Sequence, residues 1–379
     1  MSGPAYEITG TAALSEFLGD GVVYRNLEPA NRRLPGLKAL WSQAGLEAYR
    51  IPRKTDLEYA RVLGLILERA RALDSGAKLQ YLLYIGDTLV LDGTAFRNLK
   101  AATGWAGYAF IARDDAKNPP QSRLDHDWYI ANRWSALPAF LAFAREQGIP
   151  TDERTAVVID LDKTAIGARG RNDGVIDAAR LEGVKRTVSG LLGPLFDGRG
   201  FEVAYGELNQ PPYHPFTADN QDYLAYICLM LGAGMYPLAG LVDAVRAGLM
   251  RSFHDFIRAM EERRDEIAGS GLLSIHEEVW QAVQAGDPTP FKAFRYNEYL
   301  TTAARFGELP GATAEQALRE RIVITGEVRQ AALALRQQGA LCFGVSDKPD
   351  EASTPQPAQA AQGYRMLHQL PAFVVSGKP

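Results

Sequence analysis

Three apolar runs of strand length end directly in acidic or small polar residues. Val157-Val158-Ile159 leads into Asp160-Leu161-Asp162-Lys163-Thr164, Cys342-Phe343-Gly344-Val345 into Ser346-Asp347-Lys348-Pro349, and Leu83-Tyr84-Ile85 into Gly86-Asp87, with Asp92 five residues on. In a parallel sheet these ends share one edge, where open α/β sheets bind their ligands. Carboxylates, a hydroxyl and lysines then converge. Two like charges about 4 Å apart repel by roughly 4 kcal/mol at an effective dielectric near 20. Such a cluster therefore calls for a counter-ion or for raised pKa values. A hard divalent cation with oxygen ligands meets the need, and Mg²⁺, which takes few carboxylates together with phosphate and water, suits it best. Where the chain leaves a strand, residues two apart can face one pocket, so Asp160 and Asp162 point together while Leu161 turns to the core. Asp160 is then placed to attack phosphorus, and Asp162 to protonate the leaving oxygen and later deprotonate water.

These residues resemble the haloacid dehalogenase-like phosphohydrolases. Asp160-Leu161-Asp162-Lys163-Thr164 after an apolar strand is similar to the family's first motif, Ser346 after Phe343-Gly344-Val345 to its second, and Gly86-Asp87 with Asp92 to its acidic fourth. The resemblance implies a Rossmann-like, doubly wound parallel core, an inserted helical cap, and Mg²⁺ as cofactor. It implies Asp160 as nucleophile, Asp162 as acid/base and Ser346 as a phosphate ligand. The expected metal set is Asp160, Asp162, Asp87 and Asp92, with Thr164, Ser346 and Lys348 on the substrate. The motif order departs from the family: the acidic motif precedes the other two, as in a circularly permuted core. Gly104 to Phe110 supplies a next strand in the right place for that reading. After permutation Lys54, ahead of the helix that leads to the acidic strand, takes the place of the family's lysine, with Lys348 and Lys378 as rivals. Asp92-Gly93 is also a strong turn signal, the plainer reading of that segment.

The elements that must position these residues follow from hydrophobic periodicity. Strands are expected at Leu79–Ile85, Tyr108–Ala112, Ala156–Ile159 and Leu341–Val345, with a weaker fifth at Ala372–Val375. Helices are expected over Tyr59–Leu73, Ser135–Gln147 and Val328–Gln338, the last closed by Gly339. Alternating strands and helices predict α/β architecture. From Asn172 to Ile324 helical patterns dominate, as in Leu238–Met260, His276–Ala285 and Ala314–Ile322. This divides the chain into a first core part (1–171), a helical cap (172–324) and the rest of the core (325–379). Pro349–Gln362 reads as a loop.

Composition limits the function. Lys plus Arg number 41 and Asp plus Glu 45, a net charge of −4, which argues against a nucleic-acid binder. The two cysteines, Cys228 and Cys342, lie in apolar runs and fit buried thiols in a reducing cytoplasm. The N-terminus has no basic region followed by an apolar one, so no secretory signal is expected. Tyr223–Val242 carries no charge, but Gly232, Gly234, Pro237 and Gly240 interrupt it; a buried helix pair, or a face for a second subunit, is expected rather than a membrane span. The five histidines show no metal-ligand spacing, and neither a Walker loop nor a serine-hydrolase elbow is present. Asp125-His126-Asp127 reads as a turn, His214 as a possible substrate contact, and Arg169 and Arg171 as anion binders or a basic turn. The leading expectation is a phosphatase acting on a small phosphorylated metabolite. The rivals are a metal-free dehalogenase and a non-catalytic binding module on the same fold.

Overall fold

Leu82 to Ile85 and Ala156 to Ile159 are apolar at every position, so both faces of each strand must be covered, as in the middle of a parallel sheet. The computed structural model, which describes residues 6–378, places these strands side by side with Ile85 opposite Ile159. Among the described residues ten strands form: β1 (Tyr6–Ala12), β2 (Val22–Val23), β3 (Tyr81–Gly86), β4 (Ala106–Ala112), β5 (Ser122–Asp125), β6 (Trp128–Ala131), β7 (Thr155–Asp160), β8 (Ile324–Thr325), β9 (Leu341–Val345) and β10 (Ala372–Gly377). Seven make the central sheet, in the order β2-β9-β7-β3-β4-β6-β5, parallel throughout except for the antiparallel edge pair β5–β6. Asp160 pairs with Val345, so β7 and β9 end level.

One face of this sheet presents alternate residues, Leu82 and Tyr84 of β3, Val158 of β7, Phe343 and Val345 of β9, to a core shared with helices Leu57–Asp74 and Thr94–Thr103. Helix Leu57–Asp74 supplies Tyr59, Val62, Leu63 and Ile66 at helical spacing. Helices Leu137–Glu146 and Gly326–Gln337 touch each other, and the first of them also packs on β4.

The weak fifth strand is real, but it belongs elsewhere. β10 lies between β1 and β8 in a separate three-stranded sheet, antiparallel to β1 and parallel to β8. β1 reads Tyr-Glu-Ile-Thr-Gly-Thr-Ala, an alternation that sequence reasoning passed over because its apolar members are few. β5 and β6 were missed because β5, Ser-Arg-Leu-Asp, is almost wholly exposed.

The chain divides into two compact units. One comprises the described residues up to Ala178 and from Thr302 onward; the other is Ala179–Thr301. The second is helical, with a core that includes Leu208, Phe216, Ile227, Phe256, Met260 and Phe294. It also buries an ion group. Arg295 donates to Asp222 (Nε to Oδ2, 2.8 Å) and to Glu298 (Nη1 to Oε2, 2.6 Å), and Arg180 reaches Glu298 at 3.2 Å. The helical pattern over Leu238–Met260 forms two helices, Leu238–Arg246 and Phe253–Glu261. Gly248 breaks it in the left-handed region (φ 69°), and Ser252 caps the second piece by accepting the Asp255 N–H. Tyr223–Val242 is likewise split between helices, and among the described residues no helix is long and apolar enough to cross a membrane. The Pro349–Gln362 segment is less irregular than expected, holding a short helix, Pro357–Ala361.

Candidate active site at the ends of three strands

Asp160 is the last residue of β7. Beyond it the chain is held in a tight turn: Leu161 N–H donates to the Val345 carbonyl (2.9 Å), Ala165 N–H to that of Asp160 (3.2 Å) and Ile166 N–H to that of Leu161 (3.0 Å), with Lys163 left-handed (φ 64°). Leu161 is buried beside Gly344, where an added Cβ would stand 2.9 Å from its Cδ2; glycine in β9 makes room for the turn. Asp162 thereby leaves the core, and its Oδ2 accepts the Ser346 hydroxyl at 2.6 Å. Ser346 Oγ accepts in turn from the Lys348 backbone N–H at 2.9 Å.

β3 contributes the acidic motif. Gly86 ends the strand, and a Cβ there would fall 2.5 Å from the Asp92 Cβ and Cγ, so glycine lets the Asp92 side chain cross the strand end. The chain then makes one π-helical turn, Leu89–Gly93, rather than the tight turn that is the plainer, alternative reading of Asp92-Gly93. That turn brings Asp92 back under β3, where Oδ2 accepts the backbone N–H groups of Asp87 (3.0 Å) and Thr88 (3.1 Å), and Oδ1 accepts the Tyr84 hydroxyl (3.2 Å).

Lys54 joins the two motifs. Its Nζ donates to Asp160 Oδ1 at 2.5 Å and to Asp92 Oδ1 at 2.6 Å, and its side chain is 4 % exposed. The segment carrying it is fastened to helix Thr94–Thr103 by Asn98 Nδ2, which donates to the Thr55 carbonyl at 2.8 Å. Lys378 is exposed after β10, in the other sheet.

The carboxylates of Asp87, Asp92 and Asp160 each offer an oxygen within 4.8 Å of the others. Asp162, expected among the metal ligands, is outside this group because its carboxylate is turned to Ser346. Arg169 donates Nε to Asp87 Oδ2 at 2.5 Å, so it serves the acidic cluster rather than standing open to an anionic substrate. Arg171 is also taken. It is buried between Asp114 (2.8 Å) and Glu327 (2.8 and 2.9 Å) and donates to the Val375 carbonyl (3.1 Å), a structural tie across both sheets. Thr164 is fully buried, with its carbonyl accepting the Thr325 hydroxyl. His126 forms the exposed β5–β6 turn (φ 53°), as expected, and His214 lies 3.4 Å from the Asn209 carbonyl.

The electrostatics follow from burial. Loss of water alone would drive Lys54 down, but Asp160 and Asp92 outweigh it and hold the ammonium well above its ordinary range. Burial pushes the Asp160 carboxyl well up; Lys54 opposes this, while Asp92 and Asp87 add to it. Asp87 is pushed up to about 7, by burial first and the Asp92 charge second, against Arg169. Asp92 is buried as deeply, yet Lys54 and the hydrogen bonds from Asp87, Lys54 and Thr88 hold it below the usual carboxylate range. Fully ionised, the three acids exceed the two cations by one charge. An oxygen-only donor set with surplus negative charge, and neither histidine nor cysteine, fits a hard divalent cation.

Sequence reasoning did not single out Tyr84. The signal was a hydroxyl in an otherwise apolar strand, which needs a buried partner. Compared with known protein families, with characterised proteins and with solved structures, the chain matches none.

Proposed function

We propose that this chain is a Mg²⁺-dependent phosphohydrolase with a circularly permuted haloacid dehalogenase-like core, acting on a small phosphate monoester in the cytoplasm. The observation that carries the reading is Lys54, whose ammonium bridges Asp160 and Asp92, from two motifs lying 68 residues apart in reversed order. Permutation moves the chain ends without changing which strands are neighbours, so motifs of a permuted core still meet. β7 lies between β3 and β9, with all three motifs at one edge. A dehalogenase reading needs no acidic cluster beside the nucleophile. Lys54, Asp160 and Ser346 are all at most 5 % exposed, which favours a small phosphoryl group over a macromolecule.

The first displacement forms a bond from an Asp160 oxygen to phosphorus and breaks the bond from phosphorus to the leaving oxygen, which takes a proton from Asp162. In the second, water attacks the same phosphorus, Asp162 recovers a proton from it, and inorganic phosphate departs with the Asp160 carboxylate restored. Lys54 would donate its third N–H to the phosphoryl oxygens, and Ser346 its hydroxyl once that turns from Asp162. Asp87, Asp92 and Asp160 would hold Mg²⁺, whose part is to neutralise phosphate charge.

The test is phosphate release from an aryl phosphate by the full chain, with Mg²⁺ and with chelator, for wild type and Asp160→Asn. Expected are turnover that needs Mg²⁺ and a loss of at least about 10³-fold in Asp160→Asn. Mg²⁺ binding with no turnover on any of a panel of small phosphate esters would instead support the non-catalytic binding module.

A further inference from the structure

Two tyrosines flank Lys54. Tyr84 spends its hydroxyl on Asp92 at 3.2 Å, and Lys54 Nζ stands 6.0 Å from the centre of its ring. Tyr59 differs. It lies five residues after Lys54, in the first turn of helix Leu57–Asp74, is 1 % exposed, and its hydroxyl has no hydrogen-bond partner among the described residues. Its ring belongs to the core layer that also holds Tyr84, Val345 and Val23, at the ends of β3, β9 and β2. Its hydroxyl feels the charges of Lys54, Asp347, Asp160 and Asp92.

A buried hydroxyl without a partner is rare and destabilising, and phenylalanine would fill the same space without that cost. Keeping tyrosine here points to a partner that arrives. Tyr59 shares its buried core with Val345, the residue that pairs with Asp160 across β9 and β7. Lys54 has three N–H donors, and Asp92 and Asp160 accept two. The phosphoryl group on Asp160 would bring three non-bridging oxygens, and Lys54 has one N–H left for them.

We propose that Tyr59 is a further catalytic residue, donating its hydroxyl hydrogen bond to a non-bridging oxygen of the phosphoryl group in transfer to and from Asp160. This rests on the phosphohydrolase reading above. Removing a donor aimed at charge that develops in the transition state lowers kcat and kcat/KM together and has little effect on ground-state binding.

The experiment compares wild type with Tyr59→Phe on an aryl phosphate in saturating Mg²⁺. It also records orthovanadate inhibition, Mg²⁺ affinity and Tm. Expected for Tyr59→Phe are a fall in kcat of roughly 100-fold with KM nearly unchanged, weaker inhibition by orthovanadate, unchanged Mg²⁺ affinity, and a Tm equal to or above wild type. Wild-type kcat and orthovanadate inhibition in Tyr59→Phe would overturn the proposal, leaving the hydroxyl to a resident water. A lowered Tm together with weakened Mg²⁺ binding would also overturn it, in favour of a structural role. Absence of both turnover and Mg²⁺ binding in the wild type would instead remove the phosphohydrolase reading itself.

Discussion

At the scale of single residues, Lys54 is the group on which most depends. It is the one ammonium bonded to both Asp92 and Asp160 among the described residues, and all three side chains are buried. Lys54→Met should cost about 3–5 kcal/mol, because removing one member of a buried ion group leaves the others uncompensated. The deficit should depend on pH in a definite direction. Burial already holds the folded pKa of Asp160 above its unfolded one with Lys54 opposing, so without Lys54 the folded state binds more protons than the unfolded one and gains stability as pH falls. Urea midpoints at pH 5 and 8 should therefore lie closer to wild type at pH 5, and a midpoint gap that does not narrow there would contradict this account. Asp350 offers a second titration, away from the carboxylate cluster. Burial pushes it up to about 7, against the Asn26 N–H that it accepts at 3.0 Å. Its unfolded value lies near 3.8, so its stability contribution is complete below that pH and is lost as pH rises through about 7. Asp350→Asn keeps the acceptor and removes the titration. It should be more stable than wild type above pH 7, by no more than about 4 kcal/mol, with the gap closing below pH 4.

At the scale of elements, what was legible and what was not divides by burial. β9 is where the apolar run put it, and β3, β4 and β7 lie within two residues of expectation, because strands covered on both faces are apolar at every position. The helices Leu57–Asp74, Leu137–Glu146 and Gly326–Gln337 were equally plain, and Gly339 does end the last in the left-handed region (φ 99°). Edge strands and two-residue strands carry no such signal. In the site, Asp160, Asp87 and Asp92 could be proposed from residue types at strand ends, whereas Lys54 follows only from the family resemblance. The orientation of Asp162 could not, because it is set by a turn whose left-handed residue is a lysine rather than a glycine. The partners of Arg169 and Arg171 were out of reach for a similar reason: they come from segments far away in sequence. The π-helical turn at Leu89–Gly93 depends on Gly86 for room. Gly86→Ala should push the Asp92 carboxylate away from its partners and weaken Mg²⁺ affinity by about 10–100-fold, measured by calorimetric titration. Unchanged affinity would mean that Asp92 finds another route to the cluster.

At the scale of the whole molecule, the two units have separate cores and separate buried charges. The Asp222–Arg295–Glu298 group belongs to Ala179–Thr301, whereas the carboxylate cluster belongs to the other unit. Arg295→Met should destabilise the helical unit by about 3–5 kcal/mol, seen as an early transition in calorimetry. Mg²⁺ at about 100 times its Kd should raise the stability of the sheet-containing unit by about 2.7 kcal/mol and leave the early transition in place. A single transition moved by both changes would show that the units unfold as one.

The pairing of β1 with β10 puts Tyr6 opposite Gly377 and Ala12 opposite Ala372, so the outermost pair joins the two ends of the described chain. Tension applied at those ends would load this antiparallel ladder at its tip, one rung after another, rather than along its length. Such a ladder peels at low force. A single-molecule pull should give up β1 first, in small steps, while the seven-stranded sheet and the carboxylates at its edge still hold.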